Sequence, residues 1–258
     1  LDLQISFPAD GLIGLTGSLE RGLHWAVQME AVNDSWELGR GMVNSGSEPV
    51  TLPAESESGV IVRGYLDSVH IDACVELSVV SSAGKASSNI APSEADDRWQ
   101  EVFNRADLQI GEMFVMGYRF DDIDIQVAFG TDDWDIDVSG PWAEGNILLP
   151  YDFNEQTVAA LNMQRLLLIE SEIEGDSSDA DVSDPRNLPA VTAQIENFAI
   201  GNLRFGALSA DIVRVPDGLK SRILTTKSTS FTTEISTDWL VIDNAQRTRL
   251  NVEMLSTD

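Results

Sequence analysis

Phe120-Asp121-Asp122-Ile123-Asp124-Ile125-Gln126-Val127-Ala128-Phe129, followed by Gly130-Thr131-Asp132-Asp133 and then Trp134-Asp135-Ile136-Asp137-Val138, decides the fold class. Apolar side chains fall at every second position: Ile123, Ile125, Val127 and Phe129 in the first run, Trp134, Ile136 and Val138 in the second. A period of two puts them on one side of a pleated strand and the aspartates on the other. The intervening Gly-Thr-Asp-Asp is turn-forming. The stretch reads as a hairpin with a wet outer face and an apolar inner face.

The same pattern runs outward in both directions. Leu23, Trp25, Val27, Met29 and Ala31 alternate with polar residues, apart from Ala26. So do Val191, Ala193 and Ile195, and later Phe231, Thr233, Ile235, Thr237 and Trp239. Leu166-Leu167-Leu168-Ile169 is among the longest apolar runs, far short of the roughly 18 residues of a membrane-spanning helix. Helix signals are sparse. Ser93-Glu94-Ala95-Asp96 resembles a capping box with Asp in the usual Glu position. It precedes Trp99, Val102 and Phe103, whose spacing predicts a helix of about ten residues. His70 to Leu77 suits a strand or a short helix equally. The expected fold is therefore mainly β, a long antiparallel sheet with one or two short helices.

Two stretches interrupt the strands. Residues 81–92 are rich in Ser, Ala, Gly and Asn, and residues 174–185 are acidic and breaker-rich. Both read as flexible, solvated connections inside one segment spanning residues 1–258, because the strand pattern is the same on either side. Alternation reaches both termini, in Leu1 to Phe7 and in Thr248, Leu250, Val252 and Met254. There is neither a signal peptide nor an initiating Met. The chain reads as an interior piece excised from a longer protein. Edge strands exposed by such a cut are expected to pair copies into a homodimer that the intact protein lacks.

Composition narrows the function. The chain carries 43 Asp plus Glu against 16 Lys plus Arg, a formal net charge of -27. Such a polyanion repels nucleic acid and anionic lipid headgroups, so no nucleic-acid partner is expected. The lone Cys74 excludes an internal disulfide and leaves the compartment open.

Catalytic and ligand motifs fail on spacing. Gly11-Leu12-Ile13-Gly14-Leu15-Thr16-Gly17 lacks the Gly-x-Gly-x-x-Gly spacing of a dinucleotide loop and the helix behind it, and reads as a turn between strands. Asp133, Asp135 and Asp137 begin like a calcium loop, but Val138 stands where that loop needs its sharp-turn glycine, although Glu144 ends it correctly. They read as the wet side of a strand. Asp176, Asp179, Asp181 and Asp184 read as a solvated linker. His24 and His70 are the only histidines, and His70 with Cys74 makes at most two zinc ligands. No Gly-x-Ser-x-Gly, Walker loop or His-Glu-x-x-His is present. The expectation is a non-enzyme with no catalytic residue, cofactor or metal. The six tryptophans suit a ligand cleft, but most read as anchors of individual strands in the apolar face.

Longer motifs carry a family resemblance. Asp184-Pro185-Arg186-Asn187-Leu188-Pro189, Ile200-Gly201-Asn202-Leu203, Phe205-Gly206-x-Leu208, Pro216-Asp217-Gly218-Leu219, Gln246-Arg247-Thr248-Arg249-Leu250 and Leu255-Ser256-Thr257-Asp258 follow in order. Upstream stand Trp36-Glu37-Leu38-Gly39-Arg40-Gly41 with Leu52-Pro53 and Gly59-Val60, then Trp134-x-Ile136-x-Val138-Ser139-Gly140-Pro141 with Gly145-Asn146-Ile147-Leu148-Leu149-Pro150. Together they resemble the YhdP branch of the AsmA-like proteins over nearly the whole chain. Ala73-Cys74 departs from that pattern, where the family usually shows a Trp.

The resemblance implies a large protein anchored in the inner membrane by an N-terminal helix and projecting into the periplasm of Gram-negative bacteria. It implies a long, sharply curved, taco-like antiparallel sheet with an apolar interior. It also implies a role in moving phospholipid towards the outer membrane and maintaining its barrier. This chain would be a periplasmic, soluble interior segment whose partners are phospholipid acyl chains, with Ile123, Ile125, Val127, Phe129, Trp134, Ile136 and Val138 facing the groove.

Elementary energetics agrees with such a role. Each acyl methylene moved from water to an apolar face gains about 0.8 kcal/mol, so a chain of about 16 carbons needs a continuous dry path more than specific contacts. The same alternation also suits a closed β-sandwich, acting as a scaffold or protein-binding module of the cell envelope.

Overall fold

The structure, a computed structural model, describes residues 2–19, 22–33, 35–47, 49–71, 102–115, 117–151, 153, 156–169, 184–243 and 245–256. Among them fifteen strands are hydrogen-bonded in chain order. The contacts of the chain divide into two compact units, Leu1–Met116 with Asp124–Thr131, and Gly117–Ile123 with Asp132–Asp258.

The first unit holds β1 (Asp2–Ser6), β2 (Leu12–Leu19), β3 (Leu23–Val32), β4 (Ser35–Ser45), β5 (Gly59–His70) and β6 (Phe103–Val115). β7 (Tyr118–Phe129) contributes its first half to the second unit and its second half to the first. The second unit continues with β8 (Asp133–Ser139), β9 (Ala143–Pro150), β10 (Val158–Leu168), β11 (Ala190–Ile200), β12 (Leu203–Val215), β13 (Gly218–Lys227), β14 (Phe231–Ile242) and β15 (Ala245–Ser256). The mainly β expectation holds.

The antiparallel expectation needs correction at three joins: β4 with β5, β5 with β6, and β10 with β11 are parallel. Antiparallel neighbours close through a tight turn, whereas parallel ones need a return path as long as the strand. The three parallel joins coincide with the long connections between Ser45 and Gly59, His70 and Phe103, and Leu168 and Ala190. The stretches read as flexible loops lie in the last two of these. Residues 81–92, and 174–183 of the acidic stretch, fall outside the described residues. So does most of the helix expected after Ser93, but Phe103, assigned to it, opens β6. Asp184 caps a single 3-10 turn, Pro185–Asn187, by accepting from the Arg186 N–H at 2.9 Å.

Three local details follow from sterics. Gly14 and Gly17 lie inside β2, not in a turn as their spacing suggested. A Cβ at Gly17 would overlap the Trp25 indole, so the glycine makes room for the ring. Asp122 adopts φ 53, a left-handed conformation within β7. On either side of it Phe120 and Ile123 are both buried although three positions apart. Val60 and Ile61, on opposite sides of β5, are buried at 6% and 2% exposure. Cover on both faces is the usual state of parallel strands.

Candidate functional site

Strand registers in the second unit assemble an apolar row. Val138 stands opposite Gly145, Gly145 opposite Met163, Met163 opposite Ile195 and Ile195 opposite Leu208. The row continues through Thr226 and Thr233 to Met254. A second row runs beside it through Ile136, Ile147, Leu161, Ala193, Ala210 and Leu224. The intervening positions form a polar row from Asp137 through Asn146, Asn162 and Gln194. It reaches Ser209, Thr225, Glu234 and Glu253. Because side chains alternate across the sheet, the two apolar rows share one face and the polar row takes the other.

Burial follows this division. Val138, Met163, Ala193, Ile195 and Ala210 are buried, while Ile136, Ile147, Leu161, Leu208 and Leu224 are only half-buried. At the end of the row Met254 is 61% exposed. Full burial of a Leu or Ile side chain is worth about 1.5–3 kcal/mol, so the half-buried members retain part of that gain for a ligand. Two of the five buried members, Ala193 and Ala210, are small.

Two arginines pin the parallel crossovers. Arg214 donates to the Phe153 carbonyl at 2.9 Å and to the Arg186 carbonyl. Its register partner is the buried Leu219, which in turn faces Trp239. Pro185 is fully buried, and its turn packs on β13 and β14. In the first unit Arg40 donates to the Pro53 carbonyl at 2.9 Å and to Gln28 Oε1 at 3.1 and 3.0 Å. Asp184 is held below its ordinary carboxylate range by the hydrogen bonds from the Arg186 side chain and backbone.

The residues singled out from the sequence lie on β7 and β8. Ile123 is 1% exposed. Ile125, Val127 and Phe129 are half-buried between exposed Asp124, Gln126 and Ala128, and the Phe129 ring lies 6.0 Å from that of Phe103. Trp134 is half-buried, edge-on to Tyr151 at 5.7 Å. Burial, then the charges of Asp133 and Asp132, push the Tyr151 phenol up. Ile136 and Val138 join the rows above. Those rows bring in Ile147, Leu161, Met163, Ile195 and Leu208, which were not singled out. Their alternation is visible in the sequence, but which strands they meet is not.

Thr226 and Thr233 interrupt the apolar row. Each is 2% exposed, and neither hydroxyl has a hydrogen-bond partner in the protein. A buried hydroxyl left unpaired costs about 1–3 kcal/mol. On the polar face, Asn162, Gln164, Gln194, Glu196, Ser209 and Lys227 surround a shallow depression of about 380 Å³, where Gln194 Nε2 donates to Ser209 Oγ at 2.8 Å. Met163, Ile195, Ala207 and Leu208 line it as well, so its lining is mixed.

Among the described residues no group of three or more His, Cys, Asp or Glu side chains is placed to hold a metal ion. No helix among them is long and apolar enough to cross a membrane. The family described as YhdP protein matches residues 1–258. No curated protein and no solved structure matches the chain.

Proposed function

We propose, from the premise that the chain belongs to the YhdP family, that it forms part of a periplasmic path carrying phospholipid between the inner and outer membranes. Membership places it in a family of envelope proteins related to lipid transport. The finer reading is that the apolar face of the strands holds acyl chains out of water and lets them slide, supporting the outer-membrane barrier. In the intact protein this part is soluble and a membrane anchor lies elsewhere.

One observation carries the proposal: one apolar row runs unbroken by charge from β8 to β14 and a second from β8 to β13, and several of their large side chains are only half-buried. A sandwich packed against a second sheet would close over Ile147, Leu161 and Leu208. A face lined by Ala193 and Ala210 has room for a chain of methylenes and no deep pocket to trap it. The acidic residues on the opposite face keep such a protein dissolved and repel anionic headgroups.

The test is binding to the purified chain. After incubation with phosphatidylethanolamine vesicles and re-isolation, native mass spectrometry should detect diacyl lipid bound to the folded protein. A folded chain that retains no lipid at any vesicle concentration refutes the reading.

A further inference from the structure

We propose that Thr226 and Thr233 form a polar step in the apolar face of the second unit, where their hydroxyls bond the ester carbonyl of a lipid lying across it. The inference rests on the reading that this face takes acyl chains. The two threonines stand opposite each other on adjacent strands, in the row that runs from Val138 to Met254. Both are 2% exposed and neither Oγ1 has a partner in the protein. Valine has nearly the same shape and would occupy either site without stranding a hydroxyl, so keeping two there points to a ligand group.

The chemistry of the row selects that group. A hydroxyl offers one donor and two acceptor lone pairs, and its unmet donor is satisfied by an acceptor. The acceptor is uncharged, since Leu208, Thr226, Thr233 and Met254 bring no cation to the row and the chain carries a formal net charge of -27. An ester carbonyl is such an acceptor, and it is bonded directly to the acyl chain that the neighbouring apolar residues suit. Both hydroxyls are closed off from solvent, so the ester must part the side chains beside them. Met254, the register partner of Thr233, is 61% exposed, and its unbranched thioether adapts readily. Entry is therefore from the β15 side.

Two lipids separate this step from the face that contains it: ester-linked dipalmitoyl phosphatidylcholine and its ether-linked dialkyl analogue, which lacks the carbonyls. The wild-type chain should retain the ester lipid about fivefold or more tightly, as one added hydrogen bond predicts. Thr226→Val with Thr233→Val should abolish that preference and melt no lower than wild type. Equal binding of the two lipids by the wild type overturns the polar step while leaving the apolar face as the lipid site. An ester preference that survives in a folded double variant also overturns it. If the variant does not fold, the wild-type comparison decides alone. Failure of both lipids to bind the folded wild type removes the face reading and the step together.

Discussion

Replacing Arg40 by Met should loosen the first unit selectively. The methionine keeps the apolar stem but removes the guanidinium that ties β4 to the crossover at Pro53 and to Gln28. Gln28 is only 7% exposed and Pro53 is buried, so both acceptors lose a donor that water replaces poorly. Two bonds converge on one oxygen and act as a single forked bond. With the carbonyl bond, two charge-assisted interactions are lost, about 3 kcal/mol in all. That corresponds to roughly a hundredfold faster amide exchange when exchange reports local opening. Hydrogen exchange with mass spectrometry should show it in peptides from β3, β4 and β5, while those from β11 and β12 keep wild-type protection. Adding Gln28→Leu should restore about half of the loss, because the stranded acceptor is then gone. A change under about threefold, or one spread equally over β3–β5 and β11–β12, refutes the staple.

Three further perturbations test other parts of the reasoning. Leu161→Asp puts a charge on a half-buried member of the apolar face, so the protein should keep its circular dichroism spectrum but lose bound lipid; Ile123→Asp, at 1% exposure, should prevent folding. Unfolding of the Leu161 variant would make that position packed core. Gly218 has φ +145, and a Cβ there would run into the Trp239 carbonyl, whereas Gly201 at φ +54 faces open space. Thermal melts should therefore show a much larger loss for Gly218→Ala than for Gly201→Ala, whose left-handed backbone costs about 1–2 kcal/mol; comparable losses contradict the packing. Because Asp184 titrates below its ordinary value of 3.8, its contribution to the Pro185 turn is present above that pH and disappears as pH falls through the lowered value. Local exchange at Arg186–Leu188, corrected for intrinsic rates, should accelerate below about pH 4 in the wild type and show no such step in Asp184→Asn.

Much of the fold was legible in period-two alternation. Ile136 and Val138 between aspartates are enough to assign a strand and its inner side, because a pleated backbone leaves no other arrangement. Family motifs read as strand and turn patterns acquire mechanical roles in the structure. Arg40 with Pro53 in one unit, and Arg214 with the Arg186 carbonyl in the other, fasten parallel crossovers that the motifs alone did not reveal. Gly14 and Gly17 went the other way. Their spacing suggested a turn, yet the backbone stays extended and Gly17 lies beneath the Trp25 ring.

By itself the sequence determined that strands dominate, which side chains share a face of each strand, and which family the chain resembles. Those properties depend on neighbours a few residues apart. The tertiary structure alone decided which strands run parallel and that Thr226 meets Thr233 within an apolar row. Each depends on register between strands separated by turns or long connections. A slip of one residue would exchange the two faces while leaving the alternation of every strand unchanged.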